Sequence, residues 1–498
     1  MKATLVKPGQ PFTIVENTAS KRKTETMVTI GQENRLYGAD SLLESGKYPK
    51  HTFAEMFRTF GQKFDGEQIA KFKEQRFVMN EIVEDERGQV AWTFERPAYE
   101  SEEAKKETLF SEEVVAMLLQ YVKMLAEKQA EGRVRDCVIT VPSWFTYDQR
   151  LMVKDAAEQL AGLTVLQLVH ENNAAATMFA IDHKLEQNTT KTVLFYNMGG
   201  MDTEVSIIKY SMFNVSEKKS SPMMEVLAET YDKELGVSDL DLILVNLLAE
   251  RFNALKERQG KMDVRDNVRA VRRLQKDVRK IKEILSANKE ASVKVPELLD
   301  YVTLQTMLKR EELEEAAKPF FAKVAAPVEE ALAKAGLTAE QIDQVEMIGG
   351  GIRVPKVTEI LEDALKRKDL GVHLNGDEAM CFGSAFIASN SSSSFKVKQL
   401  FLTQHPQHDV YIKISPVNET DGLTEDEQKA EGIEEDEIIK YYQQMKLFNT
   451  SDYLGKSKGL TMNYNKNMKI ELFKMLNGDS TEDADLELLD TFLLEDVQ

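Results

Sequence analysis

The chain has 498 residues, of which 64 are Lys or Arg and 83 are Asp or Glu, so its formal net charge is −19. At roughly 150 residues per domain, this length predicts about three domain-sized units. The negative charge argues against a nucleic-acid partner, because it would repel phosphate backbones. The apolar runs fall well short of the roughly 20 residues that a membrane-spanning helix requires, which excludes a membrane span.

The two cysteines, Cys137 and Cys381, lie in apolar stretches. We expect two buried free thiols rather than a disulfide bond or a metal site, and we find no set of metal ligands. The amino terminus lacks the apolar segment of a signal peptide, and the carboxyl terminus lacks a retention tetrapeptide. The chain also stops without an obvious terminal element, so we expect a fragment.

In chain order, residues 1–110 combine short strand-like runs, at 12–15, 27–30 and 90–94, with polar connections. The Ser111 hydroxyl is expected to cap a helix whose apolar residues follow helical spacing as far as Leu125. A buried strand over 137–141 is ended by Pro142, and a helix over 147–161 stops at Gly162. A strand over 164–169 and a helix over 171–180 follow.

Two strands, over 192–196 and 203–208, flank Gly199 and Gly200 and predict a hairpin with glycine in its turn. Residues 240–285 read as helical and highly charged, and their basic run is expected to form a solvated face. A second helical stretch covers 310–335, with Pro319 and Pro327 as breaks. A short strand over 345–348 leads into three glycines at 349–351, and helices follow from Pro355 and over 377–389.

The stretch 390–394 is serine-rich and predicts a flexible linker. Beyond it, 395–402, 410–414 and 460–473 look like strands, and 418–437 reads as a polar, acidic loop. Residues 479–496 are acidic with several leucines. The change in character places a domain boundary at this linker.

The two glycine-rich turns carry the most chemical information. Glycine is needed where backbone N–H groups must come within hydrogen-bond reach of a phosphate or a sugar, because a side chain would hold the ligand off. Either turn alone is more often a plain hairpin. We expect the bends after Tyr196 and Ile348 to converge from opposite halves onto one cleft for adenine nucleotide.

In their order along the chain, several segments resemble the seventy-kilodalton heat-shock protein superfamily. They are 138–145, 149–150, 155–157, 161–163, 171–176, the phosphate-hairpin-like 195–200, Lys282 with 285–286, the adenosine-motif-like 348–355, and 375–379. The resemblance runs from Lys2 to about Ser389 and continues into the beginning of a substrate domain. It covers most of the chain and depends on motif order rather than on any single motif.

This resemblance implies an α/β fold of the actin-like ATPase type, with two lobes built on ribonuclease-H-like mixed sheets and nucleotide between them. Residues 1–389 would form the nucleotide-binding domain and 390–394 the linker. Residues 395–498 would form a β-rich, sandwich-like substrate-binding domain that is incomplete.

Within the superfamily, the chain is most similar to the large endoplasmic-reticulum branch, that of the hypoxia up-regulated proteins. The similarity lies in 188–190, 285–288 and 394–398. Five N-x-Ser/Thr sequons are consistent with a lumenal glycoprotein, and they begin at Asn188, Asn214, Asn390, Asn418 and Asn449. The resemblance implies a stress-response chaperone of the endoplasmic-reticulum lumen.

Carried onto this sequence, the resemblance implies a set of cofactor-binding residues. Gly199 and Gly200, followed by Met201 and Asp202, would face the phosphates. The others would surround the nucleoside: Gly349, Gly350 and Gly351 at its border, Arg353 against the adenine, Lys282 and Ser286 near the ribose and base, and Asp377 closing the pocket. Without the other motifs, Lys282 alone would be interpreted as a solvated charge on a helix, and Arg353 alone as a salt-bridged surface arginine.

The sequence also departs from the family pattern. The first phosphate loop is absent, Asn197 stands in place of a metal-associated aspartate, Met201 replaces a glycine and Asp202 a threonine. Phe57, counted back from Gly61, occupies the place of the catalytic lysine, which leaves Glu171 as a weak catalytic candidate. A carboxylate about 4 Å from a phosphate oxygen costs on the order of 4 kcal/mol at an effective dielectric constant of 20, unless a cation intervenes.

We therefore expect at most weak ATPase activity. The expected function is a chaperone that binds ATP or ADP, with magnesium as a candidate ion, and promotes nucleotide exchange on a conventional lumenal heat-shock partner. Unfolded polypeptides are the expected clients. The alternatives are a chaperone driven by its own ATP hydrolysis and an actin-like-fold metabolite kinase.

Overall fold

The computed structural model describes residues 1–31, 33–75, 80–96, 105–183, 185–216, 219–392, 395, 397, 399–406, 408–416, 444–450, 452, 456–459, 467–475 and 486–495. The chain divides into two compact units, Met1–Phe401 and Leu402–Gln498. Among its described residues, the first unit contains two large hydrophobic cores, one built from residues 28–156 and one from residues 194–365, and a smaller cluster around Leu5 and Tyr121. We call the parts around these cores lobe I and lobe II.

Lobe I contains ten strands and five helices in its described part. They are β1 (Thr4–Leu5), β2 (Thr13–Ile14), β3 (Met27–Ile30), β4 (Arg35–Tyr37), α1 (Gly38–Glu44), β5 (Thr52–Ala54), α2 (Glu67–Gln75), β6 (Glu81–Glu84), β7 (Val90–Arg96), β8 (Lys105–Phe110), α3 (Ser111–Ala130), β9 (Asp136–Val141), α4 (Tyr147–Asp155), β10 (Thr164–His170) and α5 (Glu171–Asp182). Strands β4, β3 and β5 form one antiparallel sheet, and β6, β7 and β8 form another. Strands β9 and β10 pair in parallel.

Lobe II follows in the order β11 (Lys191–Met198), β12 (Thr203–Ser216), β13 (Lys219–Asp232), α6 (Val237–Asn253), α7 (Val268–Ala287), β14 (Glu290–Leu299), β15 (Val302–Lys309), α8 (Arg310–Ala316), α9 (Lys318–Phe321), α10 (Ala326–Ala335), β16 (Gln344–Ile348) and α11 (Pro355–Leu365). The helix that comes next in the chain, α12 (Ala379–Ser391), packs instead against α5 and β9 of lobe I. Strands β16, β11, β12 and β13 lie side by side in that order. The β16–β11 pair is parallel and the other pairs are antiparallel, so the sheet is mixed. Two lobes with helix-flanked sheets confirm the expected α/β class.

Most expected elements of the first unit are present, but three details were wrong. Ser111 is the first helical residue rather than the cap, and its hydroxyl instead bonds the Val90 carbonyl at 3.2 Å. The helix expected over 147–161 passes into a π-helical turn at Ala156–Leu160. The stretch 240–285 is not one helix, because the Asn253 side chain accepts the Val264 N–H and the Asn267 side chain caps α7.

The second helical stretch breaks at its prolines, as the sequence predicts. Pro319 lies in the first turn of α9 and Pro327 in the first turn of α10, where the missing N–H groups cost no helical hydrogen bond. The expected linker begins later than predicted, because Asn390 and Ser391 are the last residues of α12. Their side chains bond the carbonyl oxygens of Phe386 and Ile387, four residues earlier, which extends the helix.

The second unit contains an antiparallel sheet in the order β19, β18, β20, β21. Its strands are β18 (Val410–Pro416), β19 (Gln444–Phe448), β20 (Met468–Met475) and β21 (Leu486–Leu494), and β17 (Phe401–Thr403) precedes them. Ile412, Ile414 and Met468 form a small core. Of the strand expected over 395–402, the described residues show only the short β17. The acidic loop expected over 418–437 and residues 460–466 lie outside the described residues.

Cys137 on β9 and Cys381 on α12 are both free and partly buried. Burial raises the pKa of each thiol to about 11, so both remain protonated near neutral pH. Within the described ranges, none of the helices has the length and apolar character needed to cross a bilayer.

Candidate functional site in the interlobe cleft

The first glycine bend is the tip of the β11–β12 hairpin. Met198 pairs with Thr203 across the two strands, and the Gly199 N–H donates to the Asp202 carbonyl at 2.9 Å. Strand β11 is buried from Val193 to its end. The predicted hairpin with glycine in its turn is therefore confirmed, and it is held by a buried strand.

The second glycine bend follows β16, the parallel neighbour of β11. Asn197 pairs with Ile348, so both bends leave the sheet at the same edge. Gly349 has φ +84°, and a Cβ there would overlap the Met198 carbonyl. A Cβ at Gly351 would overlap the Met198 side chain. The bends thus lie side by side on neighbouring strands of one sheet, and the expectation that they come from opposite halves of the molecule is wrong.

The amino terminus of α6 holds the hairpin tip. The Val237 N–H donates to the Gly199 carbonyl at 3.1 Å, and the Ser238 N–H and hydroxyl donate to the Gly200 carbonyl at 2.9 and 2.5 Å. Gly236 allows this approach, because a Cβ there would overlap the backbone of Gly200 and Met201. The carbonyl side of the tip is therefore occupied by α6. The opposite side is open at Gly200, which has nothing within 4 Å of where a Cβ would stand.

Two carboxylates beside the hairpin receive hydrogen bonds from lobe I. The Trp144 indole N–H donates to Asp202 Oδ2 at 2.6 Å. The Ser143 N–H and hydroxyl donate to Glu204 Oε1 at 2.5 and 2.8 Å. Ser143 and Trp144 follow β9, so these bonds join lobe I to lobe II across the cleft.

A third carboxylate, Glu171 at the start of α5, accepts a hydrogen bond from Asn197 Nδ2 at 3.2 Å. Burial and the nearby Asp202 carboxylate raise the pKa of Glu171 to about 7. Burial also raises the pKa of Asp202, and burial with the charges of Glu171 and Asp202 raises that of Glu204 well above its ordinary value. Three carboxyl groups that share one dry region cannot all ionise freely.

Arg58 is a cation that acts on this cluster. Its Nη2 atom donates to the Ser238 hydroxyl at 2.9 Å and lies 3.5 Å from Asp239, while its Nε atom lies 3.3 Å from Glu55. Arg58 therefore also bridges the lobes, and its charge acts to lower the pKa of Asp202. The preceding residue, Phe57, presents an apolar ring to the cleft.

Lys282 and Ser286 lie on α7. Lys282 Nζ is 2.7 Å from Asp241 and donates to the Val237 carbonyl at 3.2 Å, so it contacts the residue that holds Gly199. The side chain is only 15% exposed, which rules out a solvated helix charge. The Ser286 hydroxyl donates to the Lys282 carbonyl at 2.9 Å and so makes an ordinary helical back-bond.

Arg353 and Asp377 form an ion pair with each other. The Arg353 side chain is 61% exposed, as expected for a salt-bridged surface arginine. Burial acts to raise the pKa of Asp377, but the hydrogen bond and charge of Arg353 outweigh it, and the pKa is lowered. The pair lies beside the second bend, because the Gly349 N–H points to the Gly376 carbonyl at 3.4 Å.

The residues present fit the nucleoside end of a nucleotide better than the terminal-phosphate end. Gly350, like Gly200, has open space where a Cβ would stand. Buried amide atoms of Asn172 and Asn173 lack hydrogen-bond partners within the described chain. The cations Arg58, Lys282 and Arg353 are all paired with carboxylates. Among the described residues, no group of three or more His, Cys, Asp or Glu side chains is arranged to hold a metal ion.

Sequence reasoning missed Ser143, Trp144, Glu204 and Arg58. Glu204 could have been found, since it lies at the start of β12 only two residues after Asp202, and alternate side chains along an extended chain point to the same side. Trp144 lies inside segment 138–145, which carries part of the family resemblance, but nothing in the surrounding sequence indicates that it bonds Asp202. The contacts of Ser143 and Trp144 span 61 and 58 residues of sequence, and no local pattern announces them.

Comparison with known proteins finds one matching family model and several similar proteins. A family model described as Hsp70 protein matches residues 4–450. The chain is 36% identical over 399 residues to hypoxia up-regulated protein 1 of Xenopus laevis, which covers 80% of this chain and 60% of the relative. It is 33% identical over 426 residues to the protein of the same name from Homo sapiens. This match covers 85% of this chain and 42% of the human protein. The chain thus spans between 39% and 60% of the length of the curated relatives it matches.

Proposed function

Because this chain belongs to the Hsp70 protein family, we propose that it acts as a chaperone of the large heat-shock branch. In this proposal it binds ATP or ADP between its lobes with little or no hydrolysis. It promotes nucleotide exchange on a conventional heat-shock partner and holds unfolded polypeptide clients. The family match argues against the metabolite-kinase alternative.

One observation carries the proposal of weak hydrolysis: the end of the cleft at the hairpin tip is acidic. Asp202 and Glu204 flank the turn that would face the phosphates, and Glu171 lies behind it. Phe57 supplies no charge at the place where the family resemblance, counted back from Gly61, implies a lysine. Catalysis of phosphoryl transfer depends on positive charge at the transferring phosphate, so this arrangement opposes it.

Nucleotide binding itself is supported by the two bends. The open sides of Gly200 and Gly350 leave room for phosphate and ribose next to backbone groups. Arg353, with Asp377, would border the adenine. When bound, a magnesium ion would supply the positive charge that offsets the carboxylates near Asp202.

The exchange role is supported by the side-chain hydrogen bonds that join the lobes at the hairpin. Ser143 and Trp144 reach from lobe I to the carboxylates, and Arg58 reaches to Ser238. A nucleotide that changes these contacts changes the closure of the cleft. A partner that binds one closure state better than the other is coupled to the nucleotide in the thermodynamic sense.

A lumenal location is proposed from the relatives and the sequons. Asn188 and Asn214 are exposed, whereas Asn390 lies in α12 and donates its amide to the Phe386 carbonyl. Asn418 lies outside the described residues. Expression through a secretory pathway should therefore give a glycosidase-sensitive mass shift, and its loss in an Asn188→Gln, Asn214→Gln variant would locate the glycans.

The decisive experiment combines three measurements on this chain: calorimetric titration with ATP and ADP, steady-state ATP turnover, and release of labelled nucleotide from a lumenal heat-shock partner. We expect binding, negligible turnover and faster release. Rapid turnover would contradict the proposal and favour the alternative, a chaperone driven by its own hydrolysis. Absence of nucleotide binding would contradict the assignment of the site.

A further inference from the structure

Helix α7 has a basic face that the proposed function does not use. Seven of its residues are Lys or Arg and two are Asp or Glu, so the helix carries a formal charge of +5 in a chain of net charge −19. Its buried side is apolar and packs into the core of lobe II. Its exposed side carries basic residues at spacings of three and four, namely Arg269, Arg273, Lys276, Arg279 and Lys280. We call these five residues, together with Arg272, the α7 basic stripe.

The stripe is poorly neutralised by the rest of the molecule. The Arg273 guanidinium donates to backbone, at 2.6 Å from the Glu297 carbonyl. Within the part of the chain that the structure describes, four cations of the stripe make no ion pair with a carboxylate: Arg269, Lys276, Arg279 and Lys280. Like charges three and four residues apart on a helix repel each other. A ligand of opposite charge would remove that repulsion.

Arg272, at the edge of the stripe, supplies an independent observation. Its Nη1 atom donates to Gln275 Oε1 at 3.0 Å, but its Nε atom is buried and has no hydrogen-bond partner among the described residues. Burial lowers the pKa of Arg272, and the charge of Arg279 acts in the same direction. Glu55 opposes them but already lies 3.3 Å from Arg58. A buried donor without an acceptor requires an explanation, and a carboxylate from a partner provides one.

The stripe suits the carboxylates of a protein segment better than the phosphates of a nucleic acid. From Arg269 to Lys280 it extends about 17 Å, at 1.5 Å per residue. Helix α7 has no aromatic side chain on which a base could stack, and stacking is a main part of single-strand binding. A duplex would continue beyond the stripe over a chain whose net charge repels it. Arginine, by contrast, matches a carboxylate with two parallel hydrogen bonds.

We propose that the α7 basic stripe is a docking surface for an acidic helical segment of a partner protein. The segment presents carboxylates three and four residues apart on one face, and these pair with Arg269, Lys276 and Lys280 along the stripe. One further carboxylate accepts the free Nε–H of Arg272. Docking does not require a nucleotide, because the stripe is separate from the two glycine bends.

The test uses two labelled peptides of glutamate and alanine with identical composition. In the first, the glutamates lie on one helical face at spacings of three and four; in the second, they are scattered around the helix. Fluorescence anisotropy should show saturable binding of the first peptide, which weakens as the salt concentration rises, and weaker binding of the second. Equal binding of both peptides would overturn the proposal. So would tighter binding of a single-stranded oligonucleotide than of the first peptide at the same salt concentration.

Two double variants with the same change of charge locate the binding. The double variant Lys276→Glu, Lys280→Glu should bind the first peptide about tenfold more weakly, because exposed attractions are replaced by repulsions of similar size. The control is Lys323→Glu, Lys334→Glu, which alters two exposed lysines outside α7 and should bind nearly as the unaltered chain does. Equal affinities in the two double variants would show that the stripe is not the docking surface.

Arg272→Met separates docking from folding. The Nε atom makes no hydrogen bond within the described residues, so the free energy of unfolding in urea should stay close to that of the unaltered chain. Affinity for the first peptide should fall severalfold. A loss of stability with unchanged affinity would mean that Arg272 is structural, which contradicts its role in docking. Failure of the chain to bind ATP or ADP would leave all these readings unchanged and would contradict only the proposed function.

Discussion

Lobe I and lobe II meet at the same cleft but contribute to it in different ways. Lobe II presents backbone, since both bends extend from neighbouring strands of one sheet and β11 is buried from Val193 onward. Lobe I presents side chains, because Ser143 and Trp144 follow β9, a strand whose residues are only half-buried up to Thr140. The difference teaches that the two lobes contribute different groups to the cleft, backbone bends from lobe II and hydrogen-bonding side chains from lobe I.

The largest test of this contrast is Gly349→Ala in lobe II. The added Cβ would overlap the Met198 carbonyl at a residue whose φ is +84°. We expect a loss in unfolding free energy of more than about 3 kcal/mol, or failure to fold, measured by urea denaturation. Gly350→Ala is the control, since its Cβ would enter open space. An equal loss of unfolding free energy in both variants would show that the contact between Gly349 and Met198 does not determine the conformation of the bend.

The next test concerns the buried carboxylates between the lobes. The pKa of Glu171 is raised from 4.5 to about 7, so the folded state binds more protons than the unfolded state in that interval. Below pH 4.5, protonated Glu171 therefore makes its full contribution to the free energy of unfolding. This contribution falls by at most about 3 kcal/mol as the pH rises to about 7.

In Glu171→Gln, the free energy of unfolding should decrease less between pH 5 and 8 than in the unaltered chain. The variant should therefore be more stable than the unaltered chain at pH 8. Urea denaturation at a series of pH values measures it. Glu340→Gln serves as the control, because that exposed carboxyl has a lowered pKa and should not affect this interval. A variant with the unaltered slope would mean that Glu171 is charged in the folded state.

A third test asks whether the acidic turn of lobe II weakens triphosphate binding. Asp202→Asn keeps an oxygen for the Trp144 indole but removes the charge. We expect ATP to bind about tenfold more tightly, with a smaller gain for ADP, because the penalty falls on the terminal phosphate. Calorimetric titration measures both. Glu340→Gln provides a change of equal charge elsewhere, and an unchanged ATP affinity in Asp202→Asn would remove the electrostatic argument.

The smallest effect is expected on the lobe I side, from Ser143→Ala. The variant loses the hydroxyl bond to Glu204 at 2.8 Å but keeps the backbone N–H bond. Unfolding free energy should fall by about 1 kcal/mol. Ser391→Ala, which removes only a bond to the Ile387 carbonyl at the end of α12, should change it very little. A cost comparable to that of Gly349→Ala would mean that both lobes shape the site equally.

Local signals account for the parts of the fold that the sequence predicted. The β11–β12 hairpin was predicted because apolar strands flank two glycines, and the breaks at Pro319 and Pro327 because proline cannot continue a helix. The break between α6 and α7 was missed, because it depends on side-chain bonds such as that from the Val264 N–H to Asn253. The sequence named the two glycine bends, Arg353 and Asp377 as site residues, and that role stays a prediction, whereas the cross-lobe contacts were not predicted.

The sequence by itself determined the α/β class, the family and the order of the two bends, because each of these depends on residue types and their order along the chain. Only the tertiary structure decided that the bends lie on adjacent strands and that α6 holds the hairpin tip. It also decided that Ser143 and Trp144 meet the carboxylates from the other lobe. The contacts of Ser143 and Trp144 join residues about 60 positions apart in the sequence. Burial at these contacts raises the pKa of the carboxyl groups, which no spacing along the chain can specify.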